Sequence, residues 1–357
     1  MSAMAVLLLV AGLALLLVGG EALVRGASTL AASWGVSRLM IGLTIVAFGT
    51  SAPELAVSLG SELTGREDMA LGNVLGSNIF NVLFILGISA LVSPLLVGRQ
   101  LIRLEVPILI GVSLLSLLLC LDGRVGRLDG LVLVAGLLAY TAFAIVQGRK
   151  EGNSNTAASD GRPPPRMLVQ IALVLGGLAV LVLGAKWFVE GAEAVARALG
   201  VSELIIALTV VAGGTSLPEV ATSVVASLRG ERDIAVGNVI GSNLFNLLGV
   251  LGVTGLVASD GVGVAPDALA FDLPVMVAVA LVCLPVFFTG NVISRWEGGL
   301  FLAYYAGYVV YLVLRATNPH AQGLFEDLLL WVMLPGTVLL IAVSLWQHFR
   351  QLRTLKG

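Results

Sequence analysis

The segment GTSAPEL at 49–55 returns as GTSLPEV at 214–220, and GNVLGSNIFN at 72–81 returns as GNVIGSNLFN at 237–246. The offset is 165 residues in both cases, and aligning 43–92 on 208–257 gives 28 identities over 50 positions. A chain with this internal symmetry folds as two copies of one unit. Each copy sets an acidic residue, Glu54 or Glu219, inside an otherwise apolar stretch. Interrupted apolar segments at matching positions of two halves point to a binding site where the halves meet.

Hydrophobic residues make up 58% of the 357 and charged residues 12%, with a mean hydropathy of +1.01. Soluble domains carry roughly twice that share of charge, so the lipid bilayer is the solvent of this chain. A net charge of −2 with no basic stripe excludes a nucleic-acid partner. Cys120 and Cys283 both sit in apolar runs and read as packing residues, not as a disulfide. The first apolar stretch, Ala5 to Gly19, resembles a secretory leader but has nothing positive ahead of it. It also runs into residues 19–37, which match 184–202 at the same offset, so it is expected to stay as a helix of the first repeat.

Crossing the hydrocarbon takes about 20 apolar residues. Such spans lie near 4–24, 38–62, 68–92, 101–121, 128–148, 167–188, 202–228, 233–257, 268–290, 295–315 and 325–348. The expected fold is an all-α multi-pass membrane protein: a five-helix unit over 1–148, a polar Pro/Gly/Ser-rich cytoplasmic linker over 149–166, and a second five-helix unit over 167–315. Residues 316–357 add an eleventh span, an accessory anchor, and a basic tail. With the N-terminus outside the cell membrane, inner segments hold fourteen Lys and Arg and outer segments six, which favours that orientation and a cytoplasmic C-terminus. Five spans per copy is an odd number, so the second copy must cross the membrane inverted.

Within the first motif, Gly49 and Pro53 are expected to break the helix in mid-membrane, with Thr50 and Ser51 capping the half-helix that Pro53 opens. Carbonyls freed near Ala47 and Phe48 then need partners. Thr215, Ser216 and Pro218 repeat the argument. A carboxylate at the bilayer centre costs about 3 kcal/mol on insertion scales. Nothing basic lies in the neighbouring core segments to offset Glu54 or Glu219, so a bound cation is the partner of choice. In the second motif Ser77 and Asn81 lie four apart, on one helical face, as do Ser242 and Asn246. Asn78 and Asn243 are placed to bond the broken backbone, and Ser51, Ser216, Asn78 and Asn243 each stand between ligand and backbone cap. Gly72 with Gly76, and Gly237 with Gly241, allow close helix approach. The collected ligands are hard oxygens, suited to Ca2+ or Na+, and no Cys, His or Met falls in the two motifs to select zinc or copper. Two negative charges are balanced by one Ca2+ or by several Na+, and both cargoes together would overcharge the site, which is the physical basis of exchange.

These paired motifs resemble the alpha-1 and alpha-2 repeats of the sodium/calcium exchanger family, in the cation/Ca2+ antiporter superfamily. The resemblance covers the first ten spans. It implies two inverted five-helix halves with helices two, three, seven and eight broken, and helices one and six sliding between inward- and outward-open states. Carried over by motif position, Glu54, Glu219, Thr50 and Thr215 ligate Ca2+. Ser51, Ser77, Ser216 and Ser242 with the carbonyls of Ala47 and Ala212 complete the sodium sites, and Asn81 and Asn246 take the central position. Some exchangers have Asp where this chain has Asn246, which leaves one carboxylate fewer and argues against potassium dependence. Phe48 against Gly213 is a second asymmetry, shaping the two access routes differently.

No cofactor is implied beyond the transported ions. An H+-coupled Ca2+ antiporter stands as the alternative, since two carboxylates can carry protons, but the hydroxyls and carbonyls suit dehydrated Na+ better. A cation channel usually builds its filter from symmetric subunits, and no HExxH motif or nucleophile–base pair supports an enzyme. Glu21 and Lys186 at span ends read as snorkelling residues, and Glu105 and Asp272 as interfacial ones. His320 and His348 sit in terminal loops, so no histidine relay is expected.

Overall fold

The computed structural model describes residues 3–65, 67–155, 167–288, 290–318 and 323. Segment 325–348 and the basic tail lie outside the described residues, as do 156–166 of the linker and both histidines. The helices are α1 (Ala3–Trp34), α2 (Arg38–Thr50), α3 (Ala52–Leu63), α4 (Met69–Val92), α5 (Leu101–Leu119) and α6 (Arg127–Asn155) in the first half. The second half holds α7 (Met167–Ala198), α8 (203–214), α9 (Leu217–Leu228), α10 (Arg232–Val257), α11 (Ala268–Phe288) and α12 (Arg295–Thr317). Eight of these are long and apolar enough to cross a membrane alone, and the bent pair α2–α3 makes a ninth. Helix α6 continues to Asn155, so its last turns replace the start of the expected linker. Cys120 and Cys283 are buried and unbonded.

The longest helices, α1 and α7, pack on each other through glycine. Gly12, Gly19 and Gly26 recur every seven residues on α1, and Gly177, Gly184 and Gly191 do so on α7. A seven-residue spacing keeps each set on one stripe. Gly12 meets Phe188, Gly19 meets Leu181 and Gly26 meets Val174, so the two helices run antiparallel. The backbones are close enough that a Cβ at Gly177 would lie 2.7 Å from the Leu23 amide nitrogen. Without water to drive apolar surfaces together, close backbone packing is what joins helices in lipid.

Two short ribbons tie the halves at the loops. Strand β1 (Leu95–Leu96) pairs antiparallel with β4 (Val292–Ile293), and β2 (Arg124–Val125) with β3 (Val262–Gly263). By repeat position β1 corresponds to β3 and β2 to β4, so each strand pairs with the one that is not its counterpart. Loops that correspond therefore sit at opposite ends of the bundle, as inversion requires.

The interruptions differ between helices. Chain direction changes by 41° between α2 and α3 at Ser51, where φ −85 and ψ 8 leave the helical region. Ser216 repeats this between α8 and α9 with φ −89 and ψ 7. Pro53 and Pro218 stand in the first turn, where no amide donor is required. Helices α4 and α10, by contrast, each run on as one helix. Their interruption is a π-helical turn, Asn81–Leu86 in α4 and Asn246–Val250 in α10. Further π turns occupy Gly42–Val46 and Ala207–Val211, and Leu101–Glu105 and Ala268–Asp272. All fall in counterpart pairs.

Equal sequences do not pack equally. A Cβ on Gly241 would come within 2.5 Å of the Leu43 carbonyl, and one on Gly237 within 2.9 Å of that of Leu39, so α10 lies hard against α2. Gly72 and Gly76 have nothing within 4 Å of that position. The expected close approach thus exists only in the second copy. The same end of the bundle is stitched by charge. Arg229 pairs with Glu21, Arg38 with Glu231 at 2.8 Å, and Ser28 donates to Glu231 at 2.8 Å. Glu21 is therefore an ion-pair partner, not a snorkelling residue. At the other end Lys186 pairs with Glu190 and Arg197 with Glu193, each along its own helix. One end is closed and the other is loose.

Gly177→Val overpacks the α1–α7 seam and is expected to cost about 1–3 kcal/mol, lowering the midpoint of thermal unfolding in detergent by several degrees. Gly176→Val, at a position facing open space, should leave the midpoint within a degree. Fluorescence-detected size-exclusion after heating measures both.

Candidate cation-binding site

The two broken helices meet end to end across the interface between the halves, and each supplies the partner of the other's carboxylate. Ser51 Oγ donates to Glu219 Oε1 at 2.9 Å, and Ser216 Oγ donates to Glu54 Oε1 at 2.8 Å. Ser51 and Ser216 occupy the N-cap positions, yet neither hydroxyl caps its helix. Both cross the interface instead, which corrects the expected capping role. The freed carbonyls find local partners: Ala47 accepts from the Ser51 amide at 3.0 Å, and Thr50 Oγ1 lies 3.1 Å from the Val46 carbonyl and 3.3 Å from that of Ala47.

Glu54, Glu219, Thr50, Ser51, Ser216, Ser77, Ser242, Asn81 and Asn246 are all buried, and Thr215 is partly so. Ser77 Oγ lies 3.2 Å from Ser216 Oγ and joins the Glu54 cluster. The other expected ligands are short of partners. Glu54 Oε2, Glu219 Oε2, Asn81 Oδ1, Ser242 Oγ and both polar atoms of the Asn246 amide have no hydrogen-bond partner. An orphaned buried polar atom costs about 1–3 kcal/mol, so a cluster of them, mostly oxygens, marks a place for a ligand. Hard oxygens around two carboxylates fit Ca2+ and Na+. Ala47 is buried, whereas Ala212 is exposed at the end of α8, which again sets the two copies apart.

Asn78 and Asn243 do not hold the broken backbone. Asn78 Nδ2 donates to the Val74 carbonyl of its own helix at 2.7 Å, and Asn243 Oδ1 accepts from Asn81 Nδ2 at 3.0 Å. Asn73, which the motif reading left without a role, bonds the backbone just after the break, and its counterpart Asn238 bonds side chains beside it. Asn73 Nδ2 donates to the Glu54 carbonyl at 3.1 Å and to Ser58 Oγ at 3.0 Å. Asn238 Nδ2 donates to Ser223 Oγ at 3.1 Å, and its Oδ1 accepts from Thr50 Oγ1 at 3.1 Å. Thr215 Oγ1 reaches Asn73 Oδ1 at 3.5 Å. The signal was present in the sequence, since both asparagines sit at equal places in the repeat, but only the packed halves show what they orient.

Two apolar cavities flank the site at counterpart positions. One of about 580 Å³ is lined by Leu13, Phe80, Gly213 and Leu217, and one of about 960 Å³ by Leu178, Phe245, Phe48 and Ala52. Phe48 packs edge-on against Phe245 with ring centroids 4.9 Å apart, where the other copy has only Gly213 facing Phe80. Glu105 and Asp272 are not interfacial. Glu105 is fully buried and accepts from Tyr140 Oη at 2.9 Å and Gln100 Nε2 at 3.1 Å. Asp272 is partly buried and accepts from Tyr308 Oη at 2.9 Å.

Partners that orient a cation's ligands typically govern affinity by about 10–100-fold. Asn238→Ala is therefore expected to weaken Ca2+ binding by about tenfold while leaving Glu54 and Glu219 in place, as measured by calorimetry on purified protein. Asn73→Ala should act in the same direction.

Comparison with known proteins agrees with this arrangement. The family model described as sodium/calcium exchanger protein matches residues 4–146 and 169–314. The putative antiporter CaxA of Alkalimonas amylolytica is 39% identical over 312 residues, covering 85% of this chain and 97% of that protein. The sodium/calcium exchanger MaX1 of Methanosarcina acetivorans is 33% identical over 343 residues, covering 86% and 97%. The solved structure of the sodium-calcium exchanger NCX_Mj superposes with a TM-score of 0.74 at 30% identity, covering 89% of this chain and 99% of that one. With both motifs in both halves and the same helical architecture throughout, the chain belongs to the sodium/calcium exchanger family of membrane cation antiporters.

Proposed function

We propose that this antiporter exchanges Na+ for Ca2+ at one mid-membrane site by alternating access, with Glu54 and Glu219 as shared ligands of both cargoes. The observation that carries the reading is the pair of fully buried carboxylates, each with one oxygen bonded to a serine of the opposite half and the other oxygen unpaired. In this reading Thr50 and Thr215 join the carboxylates around Ca2+. Ser51, Ser77, Ser216, Ser242 and the carbonyls of Ala47 and Ala212 serve Na+, and Asn81 and Asn246 fill the centre. The five-helix units 1–148 and 167–315 act as the two rocking halves. The chain lies in the cell membrane with its N-terminus outside, on the balance of Lys and Arg between loops.

Charge arithmetic supports exchange over co-transport. One Ca2+ neutralises the two carboxylates, and so do two Na+, whereas both cargoes together leave surplus positive charge in a low-dielectric site. Sodium is favoured over protons as the coupling ion because hydroxyls converge on the carboxylates. Ser216 and Ser77 meet at 3.2 Å beside Glu54, a set that protonation alone does not require.

Radiocalcium uptake into proteoliposomes preloaded with Na+ tests the coupling. Uptake should require internal Na+ and collapse when the Na+ gradient is removed. Uptake driven by a pH gradient without Na+ would move the chain to the proton-coupled reading. Glu54→Gln and Glu219→Gln should each abolish Ca2+ transport, and near-normal flux in either would remove that residue from the site. Asn246→Asp adds a third carboxylate at the centre and should shift the reversal potential of exchange; an unchanged potential would exclude Asn246 from the coupling site.

A further inference from the structure

We propose that Asp272 is a cation-recruiting carboxylate on the access path at the loose end of the bundle, and that Glu105 takes the same role at the closed end once the molecule turns over. The inference rests on the exchange reading above and adds a step before the central site, a weak stop for a hydrated divalent or sodium ion.

The first ground is a pattern. Three pairs of π turns occur at counterpart positions, and π turns in α-helices concentrate at functional sites. One pair leads into the broken helices, and a second opens on Asn81 and Asn246. The third ends on Glu105 and Asp272. These two acids lie 167 residues apart, and their tyrosine partners Tyr140 and Tyr308 lie 168 apart. The acid–tyrosine unit is thus itself repeated, although two short insertions hide it from an alignment at 165.

The second ground is where each unit sits. Asp272 and Tyr308 line a cavity of about 220 Å³ that is also bounded by Gly72, Gly76 and Ala212. Gly72 and Gly76 are the glycines left unpacked at the loose end, and Ala212 ends the half-helix that leads to Thr215 and Ser216. The cavity therefore joins Asp272 to the break that carries the site. Glu105 stands at the other end, fully buried behind Tyr140 and Gln100, on the side where Gly237 and Gly241 are packed against α2. The open path has its carboxylate lining a cavity, and the shut path has its carboxylate sealed in.

The third ground is charge. Arg315, the cation near Asp272, is paired with Asp267. Tyr308, which bonds Asp272, and Tyr305, which lines the cavity, are neutral, so Asp272, Asp267 and Arg315 together leave one negative charge beside the cavity. Negative charge in a cleft with low-dielectric walls focuses the field and raises cation on-rates by about 10- to 1000-fold. One carboxylate holds an ion weakly enough to release it inward, as conduction through successive sites requires.

The test uses right-side-out and everted membrane vesicles of one expression host, with Na+-driven radiocalcium flux read from each face. Asp272→Asn should raise the KM for Ca2+ about three- to tenfold from one face only, with the maximal rate kept. Glu105→Gln should do the same from the opposite face. Asp272→Glu, which restores the charge, should return the KM to that of the parent. An unchanged KM from both faces, an equal change from both, or a loss that Asp272→Glu does not repair would overturn the proposal while the parent's own flux leaves the exchange reading standing. A parent without Na+-driven flux would instead overturn the exchange reading, and the recruiting role with it.

Discussion

Two carboxylates buried in a membrane bundle with no basic side chain to meet them impose most of what is unusual in this structure. Among the described residues, the ion pairs of Arg38, Lys186, Arg197, Arg229 and Arg315 are made with other carboxylates than Glu54 and Glu219. An uncompensated charge in lipid is tolerated only where polar groups and a cargo ion take over from water. The chain supplies the polar groups by breaking two helices and aiming a serine from each at the carboxylate of the other. The broken backbone then needs its own partners: Thr50 and Asn73 bond its carbonyls, and Asn238 accepts from the Thr50 hydroxyl. Burial of the acids, the breaks and the asparagine brackets form one chain of necessity.

Inversion gives that chain two versions of every contact, and the structure realises them differently. Gly237 and Gly241 are packed where Gly72 and Gly76 are not, and Glu21 reaches across to the α9–α10 turn where its counterpart Lys186 pairs with Glu190 on its own helix. Because the sequences of the two copies agree so closely, this difference is largely a property of state. Under the alternating-access reading proposed above, exchanging the packed and loose arrangements between the copies is the change of state. A cargo shifts such a balance only through its different affinity for the two states. The glycine stripes of α1 and α7 suit the exchange, since antiparallel helices in backbone contact have few side chains to interlock across the seam.

The repeat, nine of the spans and the acids at the centre were legible because they depend on residue type and offset alone. Glu54 and Glu219 stand out in any apolar stretch, and Pro53 and Pro218 mark the breaks beside them. Partner assignments were not legible, because they depend on which half faces which. Ser51 read as a cap since capping is the local option; only the opposed half-helix offers it Glu219. Asn78 and Asn73 are both plausible backbone braces by type, and their rotation on α4 decides between them. Glu105 read as interfacial because it stands near a span end, but the neighbouring α6 brings Tyr140 over it and buries it.

The departures from symmetry are where this chain's own properties lie. Asn246 lacks partners for both of its polar atoms, while Asn81 uses its amide to reach Asn243. The central position is thus bonded on one side and open on the other, although the residues are identical. Both amide oxygens, Asn81 Oδ1 and Asn246 Oδ1, lack a partner, so the copies differ in the anchoring of the amide nitrogen and not in the oxygen they offer. Phe48 adds a permanent asymmetry, since no change of state converts it into the Gly213 of the other copy. The ring lines the larger of the two flanking cavities, about 960 Å³ against about 580 Å³ beside Gly213. The two flanks of the site therefore differ in shape although its polar residues repeat, and that difference is written into the sequence at Phe48 and Gly213.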